Sequence, residues 1–404
     1  MNRKKIFAVI ITVAAVINST ACQSEEKYHI KTKDAAYYDM SYNVYENGLL
    51  YTVPNASGTQ ACFLDYETMN GVPLCNKPNC THSDSSCVSN LCAGSFMVPV
   101  IYHDYVYWFA SNYEIVDSQD GKSQTADMHT KCMRARLDTG LTETFAEIDG
   151  VYMQNQIDLA IVNDTMYIIG SKEIYQDETD GTWGGFSRSG EQYLYSINLD
   201  SAEVQNYGLI NDAPTAKYNW SYGASLWSEV KMEGIYHDKL YLYYRYVKDP
   251  QIIIDYLNTD WVENGSPRND IPWIIENKCL DLKTGEITVS DLPYAWCIGE
   301  NHYIYEENEK FFILDEDGEK TAVENMYDNE TYDFTFVNNK LWKGSINQGF
   351  DVKTDEEFSI SDKYADKDAM IMDFVDNQYV VRYVENNEVK FDRVSEQDFI
   401  GGAK

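Results

Sequence analysis

The sequence predicts an all-β protein: a seven-bladed β-propeller of four-stranded antiparallel blades, placed after an N-terminal signal peptide. Three observations lead there. A short motif, two apolar residues, a polar turn and a Tyr-rich apolar strand, recurs seven times. Each copy is followed by a second strand–turn–strand pattern. The chain also holds 44% hydrophobic and 14% aromatic residues, enough to build a core despite a net charge of −33.

The N-terminus comes first. Residues 2–5, Asn-Arg-Lys-Lys, are basic, residues 6–17 are an unbroken apolar run, and Ser19, Thr20 and Ala21 are small. This three-part order is that of an export signal. The run is too short for a stable bilayer-spanning helix. Residues 1–21 are therefore read as signal peptide, 22–37 as a short polar spacer and 38–404 as the propeller domain.

The first motif appears at 44–53 (VYENGLLYTV), 101–110, 161–170, 235–244 (IYHDKLYLYY), 298–307, 336–345 and 374–383. Its central pairs, such as Glu46-Asn47, His237-Asp238 and Asn338-Asn339, suit two-residue hairpin turns. The second pattern appears at 62–75, 133–146, 193–208, 277–289 and 311–323, and more weakly at 351–360 and 390–400. Its Thr-Gly and Asp-Gly pairs supply the positive-φ position a turn needs. Alternating Tyr, Val, Ile and Phe suit strands with buried faces. A four-stranded meander cannot bury both its faces alone, and radial stacking of seven solves that problem. A pair of β-sandwiches or an irregular solenoid is the competing arrangement.

Two resemblances follow from these residues. Cys22, directly after the small-residue stretch, resembles the lipidated cysteine of bacterial lipoproteins, although Ser19 stands where that signal usually has an aliphatic residue. The repeated Asp/Asn-x-Leu-Tyr strand with its Leu-Asp-x-Thr-Gly hairpin resembles bacterial surface lipoproteins with a propeller domain of unknown function, similar to the propellers of low-density-lipoprotein-receptor-related proteins. The resemblance covers about residues 40–400. It implies a protein held outside the cytoplasm, on the cell membrane, by lipid on Cys22.

If each blade runs A-B-C-D outward, the A–B and C–D turns lie on one face of the disk and the B–C and D–A connections on the other. The long segments 111–130, 171–192, 247–276, 76–100 and 209–234 all fall in B–C or D–A positions, so they share one face. Long loops on a rigid scaffold are where binding groups concentrate. The candidate ligand-binding residues there are Trp183, Trp220, Tyr222, Trp227, Trp261 and Trp273, aromatic rings suited to sugar faces or peptides. Packing the inserts onto the disk would use the same rings. Segment 250–263 has helical apolar spacing.

Eight cysteines remain besides Cys22. An even number in an exported chain favours disulfides, with Cys62 and Cys92 as partners for the cluster at 75–87 and Cys279 with Cys297 in one blade. Cys75, Cys80, His82 and Cys87 are also a candidate metal set, three thiolates and an imidazole for a structural zinc. No cofactor is otherwise expected. The acidic turns Asp315–Gly318 and Asp177–Gly181 lack a complete calcium loop and read as hairpins.

The acidic charge argues against nucleic acid and against docking on anionic lipid through basic residues. No nucleophile elbow, phosphate loop, dinucleotide fingerprint or His-Glu-x-x-His is present. His103 and His237 sit in the repeated A–B turn, and His302 also sits in a repeat. The expected function is binding of a glycan, peptide or envelope protein by a monomer at the cell surface, with no catalytic residues named. An extracellular carbohydrate-active hydrolase or lyase is the alternative.

Overall fold

In five of the seven motif copies both turn residues adopt left-handed backbone: Asn163-Asp164, His237-Asp238, Glu300-Asn301, Asn338-Asn339 and Asp376-Asn377, with φ between 47° and 61°. That is the turn whose twist matches two antiparallel strands. Its repetition sets the A–B hairpin of each blade. The structure, a computed structural model, describes residues 30–400 except 34, 39–41, 56–57, 78, 84–85, 93–98, 118–123, 152–158, 172–173, 176–185, 188–191, 212–227, 250–251, 253–271, 309, 324–333, 344–347, 355, 365–366 and 387. The signal peptide and Cys22 lie outside the described residues, as does the 250–263 segment apart from Ile252.

Seven antiparallel sheets follow one another along the chain. A short strand β1 (Ala35–Tyr38) precedes them. Blade 1 holds β2 (Asn43–Tyr45), β3 (Gly48–Asn55), β4 (Gly58–Asp65) and β5 (Asn70–Pro73), and a short helix α1 (Val88–Leu91) leads on to blade 2. Blade 2 holds β6 (Val100–Tyr102), β7 (Tyr105–Asp117), β8 (Gln124–Arg136) and β9 (Thr142–Asp149). Blade 3 holds β10 (Leu159–Val162), β11 (Thr165–Ser171), β14 (Gln192–Asn198) and β15 (Val204–Asn211), with the small pair β12 (Ile174–Tyr175) and β13 (Phe186–Ser187) inserted.

Blade 4 holds β16 (Ser228–Tyr236), β17 (Lys239–Val247), β18 (Trp273–Asp281) and β19 (Ile287–Val289). Blade 5 holds β20 (Ala295–Gly299), β21 (His302–Glu307), β22 (Lys310–Leu314) and β23 (Lys320–Val323). Blade 6 holds β24 (Phe334–Val337), β25 (Lys340–Lys343), β26 (Gln348–Asp351) and β27 (Glu356–Ser359). Blade 7 holds β28 (Met370–Val375), β29 (Gln378–Glu385) and β30 (Glu388–Ser395), followed by helix α2 (Glu396–Phe399).

The core is divided among the seams between blades. Tyr167 and Leu194 of blade 3 meet Val230 and Leu242 of blade 4, and Tyr236 and Tyr241 meet Tyr303 and Tyr305. Ile304 and Phe311 meet Phe336 and Leu341, and Trp342 and Phe358 meet Tyr379 and Phe399. Among the described residues, the seam between the last and first blades is closed by side chains, with no shared strand. Leu49, Leu64 and Tyr66 pack on Val380, Tyr51 lies edge-on to Phe391 at 5.1 Å, and Arg393 donates to the Tyr66 carbonyl at 2.7 Å. Tyrosine suits these seams because its ring fills them while its hydroxyl bridges them: Tyr45 Oη accepts the Ile101 amide at 2.8 Å, and Tyr102 Oη donates to Asp164 at 2.7 Å.

Three sequence expectations are revised. Segment 390–400 is not a strand–turn–strand: blade 7 has three strands, and α2 stands where the fourth was expected. Ser395 caps that helix by accepting the Asp398 amide. Segment 111–130, expected as a long B–C segment, is largely strand, because β7 and β8 stay paired from Tyr105↔Arg136 to Asp117↔Gln124 as a two-stranded arm. β12 packs against β8 of that arm. Finally, the expected spacer is partly docked: Ile30 is buried, and β1 pairs with β10 over Ala35↔Val162 to Tyr38↔Leu159. Because β10 is the innermost strand of its blade, β1 occupies the central channel.

Candidate functional site

Beside β1 the channel encloses about 1280 Å³. Its wall comes from blades 4 to 7, from their inner strands and from β17, β18 and β21 beside them, together with Lys33, Ala36 and Val44. The chemistry differs along its length. Toward the A–B turn face it is lined by Ile298, Gly299, Glu300, Phe336 and Val337. Toward the loop-bearing face it is lined by Lys231, Tyr243, Arg245, Tyr294, Trp296 and Phe334.

Tyr243, Tyr294 and Trp296 form an aromatic wall at the loop-side mouth: Tyr243 lies 4.7 Å from Tyr294, and Tyr294 lies 4.9 Å edge-on to Trp296. Phe334 of blade 6 also lines the cavity. The register places them. Tyr243 sits opposite Lys231 on β16 and Asn277 on β18, while Tyr294 and Trp296 arrive from the connection into β20. Two cations stand at the same mouth in a strongly acidic chain, Lys231 and Arg245.

Four carboxyl groups also line the cavity, Glu233, Glu300, Glu306 and Asp373. Burial pushes the Glu233 carboxyl well above its ordinary range, and the Ala295 backbone amide only partly opposes this. Burial raises Asp373 as well, against the pull of Lys33, the Phe374 amide and the Tyr66 hydroxyl. Below them Asn277 is fixed by the Pro293 carbonyl at 2.9 Å and by the Tyr303 hydroxyl, which itself donates to Pro293.

Of the six aromatic residues singled out from the sequence, Trp273 alone lies among the described residues. It opens β18 opposite Val247 and stacks under the Arg245 guanidinium at 4.8 Å. Trp183, Trp220, Tyr222, Trp227 and Trp261 lie outside the described residues. Sequence reasoning missed Tyr243, Tyr294 and Trp296. Their one linear signal was the Tyr-Ala-Trp run just before a motif copy, which reads as ordinary strand sequence.

The histidines of the repeated turn are structural. His237 Nε2 contacts the Glu316 carbonyl at 2.7 Å, His302 Nδ1 contacts the Glu300 carbonyl at 2.8 Å, and His103 stacks on Tyr102 at 4.2 Å. The Asp315 turn uses its carboxylate to accept the Asp317 and Glu319 amides, so it is a hairpin and not a calcium loop.

The expected disulfides are not formed among the described residues. Cys62, Cys75, Cys80, Cys87, Cys92, Cys132 and Cys279 all carry free thiols. Cys62 and Cys132 are held inside their sheets opposite Pro73 and Phe109, and Cys279 Sγ lies against Thr288 Oγ1 at 3.5 Å. Cys75, Cys80, His82 and Cys87 do come together, with their ligand atoms within 4.8 Å of one another. In that group the Cys87 thiol is lowered to about 4, chiefly by a hydrogen bond from Cys75, whose own thiol is pushed up.

No protein-family model matches the chain, and no curated protein matches it. Solved structures do. The acylaminoacyl peptidase of Pyrococcus horikoshii matches over 93% of this chain at 12% identity and a TM-score of 0.39, and the chain spans 54% of that peptidase. A polysaccharide lyase of the ulvan lyase family matches over 93% of this chain and 97% of its own, at 8% identity and a TM-score of 0.38. A putative 6-phosphogluconolactonase from Bacteroides uniformis matches over 89% and 82%, at 10% identity and a TM-score of 0.29. Likeness this distant says nothing of activity or ligand. The chain is a seven-bladed β-propeller whose N-terminal strand pairs with the inner strand of blade 3.

Proposed function

We propose that this is an exported, lipid-anchored propeller that binds a ligand at the cell surface, through the channel mouth and the loops around it. The observation that carries the reading is the aromatic wall Tyr243–Tyr294–Trp296 beside Lys231 and Arg245, opening on a cavity of about 1280 Å³. Aromatic rings with a few polar groups in a concave site bind saccharide rings or peptide side chains.

The path of the N-terminus supports the orientation. The Lys31 amide donates to Asn47 Oδ1 at 2.8 Å, in the A–B turn of blade 1, and Ala35 pairs with Val162 next to the A–B turn of blade 3. The chain therefore enters the channel from the turn face and runs toward the loop face. The stretch from Cys22 to Ile30 reaches at most about 28 Å. Lipid on Cys22 puts the turn face toward the membrane and the aromatic mouth toward the outside.

The test is thermal unfolding of the full chain against acidic and neutral polysaccharides, peptidoglycan fragments and peptides. A ligand at 100 times its Kd adds about 2.7 kcal/mol. A shift that Trp296→Ala abolishes supports the mouth as the site. No shift with any of them refutes a small-molecule or glycan site and leaves an envelope protein as the ligand, read by crosslinking on cells. The alternative, a carbohydrate-active hydrolase or lyase, draws on Glu233 and Asp373 lining the same cavity, and product formation in those samples decides for it.

A further inference from the structure

Three cysteines and one histidine meet at the edge of blade 1, away from the channel. Cys75 follows β5, Cys80 and His82 lie in the crossing loop, and Cys87 caps α1. Their three Sγ atoms and one imidazole nitrogen lie within 4.8 Å of one another. Bond lengths of about 2.3 Å to sulfur and 2.0–2.1 Å to nitrogen give a tetrahedral zinc centre ligand–ligand edges of about 3.5–3.8 Å. The Cys87 Sγ to His82 Nδ1 distance is already 3.5 Å.

We propose that Cys75, Cys80, His82 and Cys87 form a structural zinc site that fixes the crossing from blade 1 to blade 2. Four protein ligands close the coordination sphere, which marks a structural and not a catalytic centre. Hydrogen bonds around the ligands are those a thiolate centre uses. The amide two residues after each of two cysteines points at its sulfur, Lys77 at Cys75 and Ser89 at Cys87. Ser89 Oγ lies 3.1 Å from Cys87 Sγ. Such outer groups orient the ligands and hold their charge.

The loop is also shaped to present the histidine. His82 has φ 54° and Asn79 has φ 58°, both left-handed. The His82 carbonyl is clamped by Gln60 Nε2 at 3.0 Å and Asn90 Nδ2 at 3.1 Å. Cys75 and Cys87 are buried while Cys80 and His82 are half-exposed, which leaves a side for the ion to enter.

A disulfide explains this group less well. Three thiols allow one bond, leaving an odd thiol and an unused imidazole, whereas zinc uses all four groups. The site has a mechanical purpose. The Asn76 amide donates to the Leu137 carbonyl, and Val88 and Cys92 enter the core shared by blades 1 to 3. Zinc would lock that loop where α1 alone, one turn long, cannot.

The test is metal analysis of the full-length protein purified without added metal, with and without reductant. About one zinc per chain is expected. Cys80→Ser and His82→Ala should each leave most of the protein without zinc, because either removes one of the four ligands. Cys279→Ser should leave it unchanged. Because a ligand variant can misfold, cobalt is also exchanged into the wild-type chain. Sulfur-to-metal charge transfer with tetrahedral visible bands is the expected spectrum. Any of three results overturns the proposal: zinc far below one per chain in reduced protein, zinc undiminished in both ligand variants, or a peptide map with Cys75, Cys80 or Cys87 in a disulfide.

Discussion

Among the described residues, Lys340 is the one buried cation. It sits on β25, its side chain 5% exposed. Nζ lies 2.5 Å from Asp351 on the paired strand β26 and 3.3 Å from Glu396, the first residue of α2. The ammonium therefore ties blade 6 to the helix that replaces a strand in blade 7. Removing one partner of a buried ion pair costs about 3–5 kcal/mol, because the other charge stays desolvated. Asp351 is 16% exposed and Glu396 about half exposed, so Glu396 keeps its water and Asp351 carries the interaction.

Asp351→Asn should then cost about 3 kcal/mol, the lower end of that range, with Glu396 offering Lys340 partial relief. At about 2.1 cal/mol/K per residue over roughly 370 residues the unfolding entropy is about 0.8 kcal/mol/K, so the melting temperature falls by about 4 °C. Lys340→Met combined with Asp351→Leu replaces the pair by apolar side chains and should recover most of the loss. The assay is urea unfolding of the wild type, both single variants and the double variant as one cycle. A single variant within about 0.5 kcal/mol of wild type, or a double variant as unstable as the sum of the singles, would refute the pairing argument.

Other outcomes follow from single sites. Glu233 has its carboxyl raised by burial above the ordinary 4.5, so its folded form holds a proton that the unfolded chain releases. That contribution to stability is whole below the unfolded value and is lost as pH rises above it. Urea unfolding from pH 4 upward should find Glu233→Gln equal to wild type at the acid end and increasingly more stable above about pH 4.5; parallel curves would exclude this. Glu300 is held at φ 49°, where a residue other than Gly, Asn or Asp costs about 1–2 kcal/mol, so Glu300→Asn should raise stability by about 1 kcal/mol. Gly349 has no room for a side chain, since an added Cβ would stand 2.1 Å from Phe358 Cζ. Gly349→Ala should therefore cost about 1–3 kcal/mol by chemical denaturation.

The repeats were legible because their information is local. A turn such as Asn338-Asn339 declares its backbone in two letters, and the seven A–B hairpins stand where the motif put them. The last blade was misread because DRVSEQDF ends in a capped helix: Ser395 finds the Asp398 amide only once β30 has delivered it there. The cysteines were legible as a cluster but not as a choice of chemistry, because spacing alone cannot say whether two sulfurs lie in contact. The candidate binding wall was hidden altogether. Tyr243, Tyr294 and Phe334 are far apart in sequence and share only the lining of one cavity.

The sequence by itself determined an acidic, all-β chain of seven repeating hairpin units, since charge, apolar alternation and turn residues act over a few positions each. Only the tertiary structure decided what closes the ring, what fills its centre and where its reactive side chains gather. Those depend on contacts such as Tyr51 with Phe391, β1 with β10, and Cys75 with Cys87. Each joins residues whose separation along the chain carries no trace of their distance in space.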